Sequence, residues 1–115
     1  MTKKKRPDVL KGRTEKIQTG CKSLYLTINE DEEGNPCEVR AQIGKSGSCA
    51  RCMLETIGIL ISRELQRGDR EESIKAINHL RSISCGQEFR EGDKRRMSCL
   101  DVISQRVRVA LKEEV

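Results

Sequence analysis

The stretch SLYLTINEDEEGNPCEVRAQI, residues 23–43, decides the fold. Leu24, Leu26 and Ile28 alternate with polar or aromatic residues, which is the two-residue period of a β-strand. A second alternating run follows the segment DEEGNP, which is rich in turn-forming residues, and ends at Ile43. The sequence therefore predicts a β-hairpin that spans this stretch.

Three helices are predicted after the hairpin. Gly68 ends the first of them in the position that a C′ glycine favours. Asp69 with Glu72 begins the second in the manner of a capping box, and Ser98 with Asp101 begins the third. The apolar stripes expected to face the core are Ala50, Met53, Leu54, Ile57, Leu60, Ile61 and Leu65 in the first helix, Ile74, Ile77 and Leu80 in the second, and Leu100, Ile103, Val107, Ala110 and Leu111 in the third.

The order of these elements, strands first and helices later, predicts an α+β fold. We expect a small antiparallel sheet with a β-hairpin, followed by three helices packed on one face. A short polar strand is expected over residues 13–19, the second helix is expected to run to about residue 82, and residues 86–96 read as a polar loop. The 115 residues correspond to a single domain, residues 8–115, preceded by a flexible basic arm, residues 1–7.

The core must be aliphatic, because the chain is 35% hydrophobic and has one Tyr and one Phe. A small core of this kind leaves room for a metal or a subunit interface to add stability. Ile59 lies off the inward stripe of the first helix, which makes that helix apolar beyond one face, so we expect a homodimer. The sequence has no apolar run of 18 residues, and no apolar segment follows its basic start, so we expect neither a membrane span nor a signal peptide. We therefore expect a cytoplasmic protein without a membrane partner.

The charge is basic but mixed, with 23 basic and 18 acidic residues and a net charge of +5. Two basic clusters are candidates for nucleic-acid contact through counterion release. The aromatic residues that stack on single-stranded bases are missing, so a solvated basic surface is the alternative. The candidate contacts are Lys3, Lys4, Lys5, Arg6, Lys94, Arg95 and Arg96.

Four of the six cysteines sit where the chain turns or where a helix begins, namely Cys21, Cys49, Cys85 and Cys99. Thiols brought together from such places are typical of a tetrahedral zinc site. Their spacing is not the paired Cys-x-x-Cys of zinc ribbons, so disulfides and reduced core thiols stay open as alternatives. A redox alternative comes from Cys49 and Cys52, which form a Cys-x-x-Cys at a helix N-terminus, where the helix dipole favours a thiolate.

The turn Gly44-Lys45-Ser46-Gly47-Ser48 offers backbone amides, a lysine and hydroxyls ahead of a helix, which suits an anion or a phosphate group. It lacks the spacing of a P-loop, and the alternative is a plain turn with Ser48 as the helix cap. His79 is the one histidine and has no partner in sequence for catalysis. No catalytic residue is assigned.

Several segments together resemble the TSCPD domain, which occurs at the C-terminal end of vitamin B12-dependent ribonucleotide reductases and as small stand-alone proteins. They are residues 6–14, 19–21, 25–34, 44–47, 55–62 and 98–101. The family motif Thr-Ser-Cys-Pro-Asp reads Met97-Ser98-Cys99-Leu100-Asp101 here. The resemblance implies that Cys21, Cys49, Cys85 and Cys99 act together, and we interpret them as zinc ligands for which Cys37 or Cys52 are the substitutes to consider.

The reductase barrel, its radical-generating cysteine and its cobalamin site are absent from the chain, so the sequence does not predict a reductase. We expect a non-catalytic, zinc-stabilised accessory or binding module that contacts a protein partner or a nucleotide or nucleic-acid ligand. The alternatives are a thiol redox accessory that uses Cys49 and Cys52, and a basic nucleic-acid-binding protein.

Overall fold

The structure is a computed structural model that describes residues 8–44 and 48–112. The elements, in chain order, are β1 (Lys11–Gln18), β2 (Ser23–Glu30), β3 (Pro36–Ile43), α1 (Cys49–Gln66), α2 (Arg70–Asn78), a 3-10 turn (His79–Ser82), β4 (Phe89–Glu91), β5 (Lys94–Arg96) and α3 (Cys99–Ala110). The predicted α+β architecture is confirmed.

Strands β1, β2 and β3 form one antiparallel sheet in that order, and the predicted hairpin is its β2–β3 half. Leu24 lies opposite Ile43, and Leu26 lies opposite Ala41. All four of these side chains are buried, since alternation places them on the face that the helices cover. The Asp31 carboxylate accepts backbone hydrogen bonds that shape the turn between the two strands.

Strand β1 begins two residues earlier than predicted, at Lys11 instead of residue 13, and ends at Gln18. Ile17 is its one buried side chain, opposite Leu24. The rest of the strand is polar and exposed, so hydrophobic alternation could not mark its start.

Helix α1 packs against β3 with a face that matches the predicted one only in part: Leu54, Ile61 and Leu65 are buried as predicted. Gly58 and Ser62 lie on the buried side, whereas Ala50, Met53 and Leu60 are exposed. A Cβ on Gly58 would come within 2.8 Å of the carbonyl oxygen of Val39, so the helix and the strand approach closely at this point. Small residues at positions 58 and 62 therefore set the rotation of α1, and larger apolar residues turn outward.

The outer edge of β3 is bonded to side chains of α1. Ser62 Oγ accepts a hydrogen bond from the Val39 backbone N–H at 2.8 Å, and Gln66 Nε2 donates to the Cys37 carbonyl at 3.1 Å. These bonds satisfy main-chain groups that would otherwise be left unpaired at a sheet edge.

The helix ends lie largely where they were predicted. Helix α1 is followed by Gly68, which has a φ of +80°, and the Asp69 side chain caps α2. The predicted second helix is α2 with a 3-10 turn at its C-terminal end. Helix α3 supplies the centre of the core, where Val102, Ile103 and Val107 are fully buried.

The expectation of a polar loop over residues 86–96 is wrong in part, because β4 and β5 form a short antiparallel hairpin there. Arg106 of α3 joins this hairpin to β1 through ion pairs with Glu91 and with Glu15, the latter at 3.0 Å. Three-residue polar strands leave no hydrophobic period in the sequence, so they depend on such long-range contacts.

None of the helices in the described ranges has the length and apolar character needed to cross a membrane.

Candidate metal centre

Cys21 lies at the apex of the turn between β1 and β2. Thr19 shapes this turn, because its Oγ1 accepts the backbone N–H groups of Cys21 at 3.2 Å and of Lys22 at 3.1 Å. The Thr19 N–H also donates to the Lys22 carbonyl. The turn is thereby closed on itself, with the cysteine at its exposed tip.

Gly20 brings this turn against the loop that follows the 3-10 turn. A Cβ on Gly20 would lie 2.1 Å from the carbonyl oxygen of Gln87. Only a residue without a side chain allows the two backbones to approach this closely. Cys85 lies two residues before Gln87, so the contact brings two cysteine-bearing segments together.

The third segment is the start of α3. Cys99 is its first residue and is 8% exposed. A reciprocal cap fixes this helix end, because Ser98 Oγ accepts from the Asp101 N–H and the Asp101 carboxylate accepts from the Met97 N–H. The Met97 carbonyl accepts in turn from the Cys85 backbone N–H at 3.5 Å. The second and third segments are thus bonded to each other.

The thiol of Cys21 lies close enough to those of Cys85 and Cys99 for both to influence its ionisation. Partial burial of the sulfur, followed by the contacts with Cys85 and then with Cys99, raises the pKa of Cys21 to about 11. A thiolate is disfavoured here first because the sulfur is partly buried and then because its neighbours are themselves ionisable thiols. The binding of a cation would reverse this preference, and thiolates are the ligands that zinc favours.

All six cysteines are free thiols in the structure. Across residues 8–44 and 48–112, no three side chains of His, Cys, Asp or Glu are arranged closely enough to be recognised as a site for a metal ion. The Cys21 thiol interacts with those of Cys85 and Cys99, but the three do not form such an arrangement. Zinc binding therefore stays a prediction.

Cys49, the fourth predicted ligand, is the exposed first residue of α1, and the contacts of the Cys21 thiol do not include it. It lies at the same end of the sheet as Cys21, because the Lys22 side chain and the Ser48 hydroxyl both lie close to Gly44. Cys52 is also exposed, one turn further along α1.

Cys37, considered as a substitute ligand, is remote from the thiol cluster. It is buried at the beginning of β3, whereas Cys21 lies beside the end of β3 at Ile43. Six residues of strand separate these two ends of β3, a distance of about 20 Å. Cys37 instead lines a cavity of about 610 Å³ next to the acidic β2–β3 turn.

The candidate anion-binding turn is described at its two ends only, since residues 45–47 lie outside the described ranges. Gly44 has a φ of +65°, and Ser48 Oγ accepts from the Arg51 N–H as the cap of α1. A Cβ on Gly44 would lie 3.8 Å from the ammonium nitrogen of Lys22. Lys22 is thus a basic neighbour of the turn that no motif in the sequence singled out.

Of the candidate nucleic-acid contacts, Lys3, Lys4, Lys5 and Arg6 lie outside the described residues. In the second cluster Lys94 is exposed, but Arg95 Nε contacts the Glu88 carboxylate at 2.8 Å and Arg96 Nε contacts that of Glu91 at 3.0 Å. Two of its three charges are therefore paired within the fold. Nucleic-acid binding stays a prediction.

Comparison with known proteins gave one match. The family model described as the TSCPD domain matches residues 1–111 of the 115-residue chain. Searches of curated proteins and of solved structures found no match. The match includes all three cysteine-bearing segments and supports the interpretation of the chain as an accessory domain of the kind found in ribonucleotide reductases. The chain belongs to the TSCPD domain family.

Proposed function

We propose that this protein is a non-catalytic accessory module whose fold is stabilised by a zinc ion. Cys21, Cys85 and Cys99 would hold the metal, with Cys49 as the fourth ligand. The observation that carries the proposal is that three cysteine-bearing segments pack together, with the Cys21 thiol near those of Cys85 and Cys99. Zinc, when bound, would supply a positive charge and a cross-link, with no chemistry of its own.

The physical advantage of a metal at this position is clear from what it would connect. The three thiols belong to the β1–β2 turn, the loop before β4 and the start of α3. The first two of these segments are exposed and polar. Because a structural zinc contributes its binding free energy to folding, it would stabilise a region that the aliphatic core does not reach.

We assign the binding role of the module to the outer face of α1. Met53, Ile59 and Leu60 are each more than 60% exposed there; Met53 and Leu60 are seven residues apart on one face of the helix, and Ile59 is the neighbour of Leu60 in the chain. Large exposed apolar side chains in one patch mark an interaction surface. We propose a second copy of the chain as the partner, because the exposed apolar patch of α1 on one molecule can pack against the same patch on another about a two-fold axis.

The zinc proposal is tested by measuring the metal content of the purified, untagged chain by mass spectrometry and titrating its thiols under native conditions. We expect about one zinc per chain. Each of Cys21→Ser, Cys85→Ser and Cys99→Ser should lose the metal, whereas Cys52→Ser is the matched control that retains it. Loss of zinc in Cys49→Ser would identify the fourth ligand. A metal-free protein in which the exposed thiols of Cys21, Cys49 and Cys85 react freely would refute the proposal.

A second candidate function, the binding of a phosphate group, is favoured by the position of Lys22. Its ammonium group lies beside Gly44, at the N-terminus of an 18-residue helix with no acidic residue in its first turn. Both features favour an anion. Titration with inorganic phosphate and with a nucleoside triphosphate should show weaker binding in Lys22→Gln. Lys16→Gln, which alters a lysine next to Tyr25 instead, is the control.

A further inference from the structure

We propose that Cys21 and Cys85 form an intramolecular disulfide when the protein meets a small disulfide oxidant, and that this bond displaces the zinc. The formation of the disulfide follows from the placement of the two thiols. The displacement of zinc rests on the proposed function, and the experiment below separates the two.

The structure brings these two thiols together while both remain accessible. Cys21 and Cys85 are exposed, and the Cys85 thiol lies close enough to influence the ionisation of Cys21. The close packing of Gly20 on the Gln87 backbone holds their two segments against each other. A disulfide requires the two Cα atoms to lie within about 7 Å, which such neighbouring backbones allow.

The third thiol of the cluster is less accessible to an oxidant. Cys99 is buried at the start of α3, where the cap between Ser98 and Asp101 fixes the backbone. An oxidant that approaches from solvent therefore meets Cys21 or Cys85 first. Cys99 would remain a thiol after the other two have reacted.

The reaction balances as two thiol–disulfide exchanges. The thiolate of Cys21 or Cys85 attacks one sulfur of the oxidant, forming a mixed disulfide and releasing one small thiol. The second cysteine, as its thiolate, then attacks the protein sulfur of the mixed disulfide and releases the other small thiol. Two protein thiols are oxidised, the oxidant disulfide is reduced to two thiols, and the two protons lost by the protein end on those thiols or in solvent.

The consequence of this exchange is that one cross-link replaces another. In the reduced protein, zinc would join the β1–β2 turn to the loop before β4, and in the oxidised protein the disulfide joins the same two segments. Because zinc binds thiolates, the loss of two of them removes the site. The module would stay folded while its metal is released.

The test treats the full-length protein with oxidised glutathione and maps its disulfides by mass spectrometry without reduction. A chromogenic chelator measures zinc released over the same time course. We expect a Cys21–Cys85 cross-link that appears together with the zinc, in equal amounts. Cys85→Ser should abolish the cross-link, and the double variant C49S/C52S, which removes the exposed cysteines of α1, should keep it.

The same oxidation is repeated on protein freed of metal by a chelator. Formation of the Cys21–Cys85 bond there supports the disulfide even if the protein as purified holds no zinc, in which case only the zinc site fails. A cross-link between Cys49 and Cys52 without one at Cys21 would overturn the inference. So would a map that pairs Cys21 with Cys99, or one that shows all six thiols unchanged.

Discussion

Gly20 packs against the main chain of Gln87 so closely that a Cβ on the glycine would lie 2.1 Å from the Gln87 carbonyl oxygen. Neither residue carries metal-binding chemistry, yet each is adjacent or nearly adjacent to a cysteine of the cluster. The relative position of Cys21 and Cys85 therefore depends on a backbone contact that any side chain at position 20 would push apart.

Gly20→Ala should weaken the thiol cluster. The added methyl group meets a backbone atom that cannot rotate away, so we expect a cost of about 1–3 kcal/mol in the free energy of unfolding. Urea denaturation measures this cost, and metal analysis of the same variant should show reduced zinc. Gln87→Ala is the control, since the contact involves the Gln87 backbone and should survive. An equal loss of stability and zinc in Gly20→Ala and Gln87→Ala would contradict the role of the Gly20 backbone contact.

Ser62→Ala should destabilise the packing of α1 on β3. The change removes the acceptor of the Val39 N–H, which lies in a buried interface, and an unsatisfied buried donor costs about 1–3 kcal/mol. Chemical denaturation followed by circular dichroism measures the loss. Ser84→Ala, which removes an acceptor on the exposed surface, should cost less than about 0.5 kcal/mol. A smaller effect at Ser62 than at Ser84 would show that the bond is dispensable.

The free energy of unfolding should fall in acid because the Glu91 carboxylate becomes protonated. The hydrogen bonds to Arg106, and to a lesser extent those to Arg96, hold the pKa of this carboxyl below its ordinary value of 4.5, against the opposing effect of burial. Since the unfolded chain binds the proton more tightly, the stabilisation is complete above the ordinary value and is lost as the pH falls through the lowered one.

Denaturant titrations from neutral pH down to about pH 3 measure how the free energy of unfolding depends on pH, and Glu91→Gln should weaken this dependence. Glu71→Gln, at a glutamate whose side chain is 79% exposed, is the control. An unchanged slope in Glu91→Gln would place the acid sensitivity elsewhere.

Ile59→Lys should disrupt the proposed homodimer. A charge among the exposed apolar side chains of α1 is costly to bury, and we expect the dissociation constant to rise at least about tenfold. Analytical ultracentrifugation over a range of concentrations measures it. Val9→Lys alters an exposed apolar residue outside α1 and should leave the association unchanged. A wild-type protein that is monomeric at all concentrations would contradict the proposed homodimer.

The hairpin and the existence of all three helices were predictable from the sequence, because alternation and helical spacing report directly on burial. The rotation of α1 was not. A count of apolar side chains favours Met53 and Leu60 as core residues, whereas the structure buries Gly58 and Ser62. Close approach between a helix and a strand selects small residues, and no count of hydrophobic positions reveals it.

Long-range contacts account for the other differences. The hairpin of β4 and β5 depends on Arg106, whose second partner, Glu15, lies 91 positions away in the chain. In the candidate site, the placement of cysteines at turns and helix starts predicted that four thiols act together; the Cys21 thiol interacts with those of Cys85 and Cys99, and the shared ligand set stays a prediction. The proximity of Lys22 to Gly44 arises from the alignment of two turns at one end of the sheet, and nothing in the local sequence signals it.

The hydrogen bonds from α1 to β3 also determine how the sheet can grow. With the main chain of Val39 and Cys37 engaged by Ser62 and Gln66, an extended peptide that joins this sheet would have to compete with a helix on that side. The available border is β1, a strand whose exposed residues include lysine, arginine and glutamate. Strand-to-strand aggregation is therefore opposed at the β3 edge by side chains of the chain's own helix α1 and at the β1 edge by charged side chains. Only an extended partner whose charges complement those of β1 would add stably to the sheet.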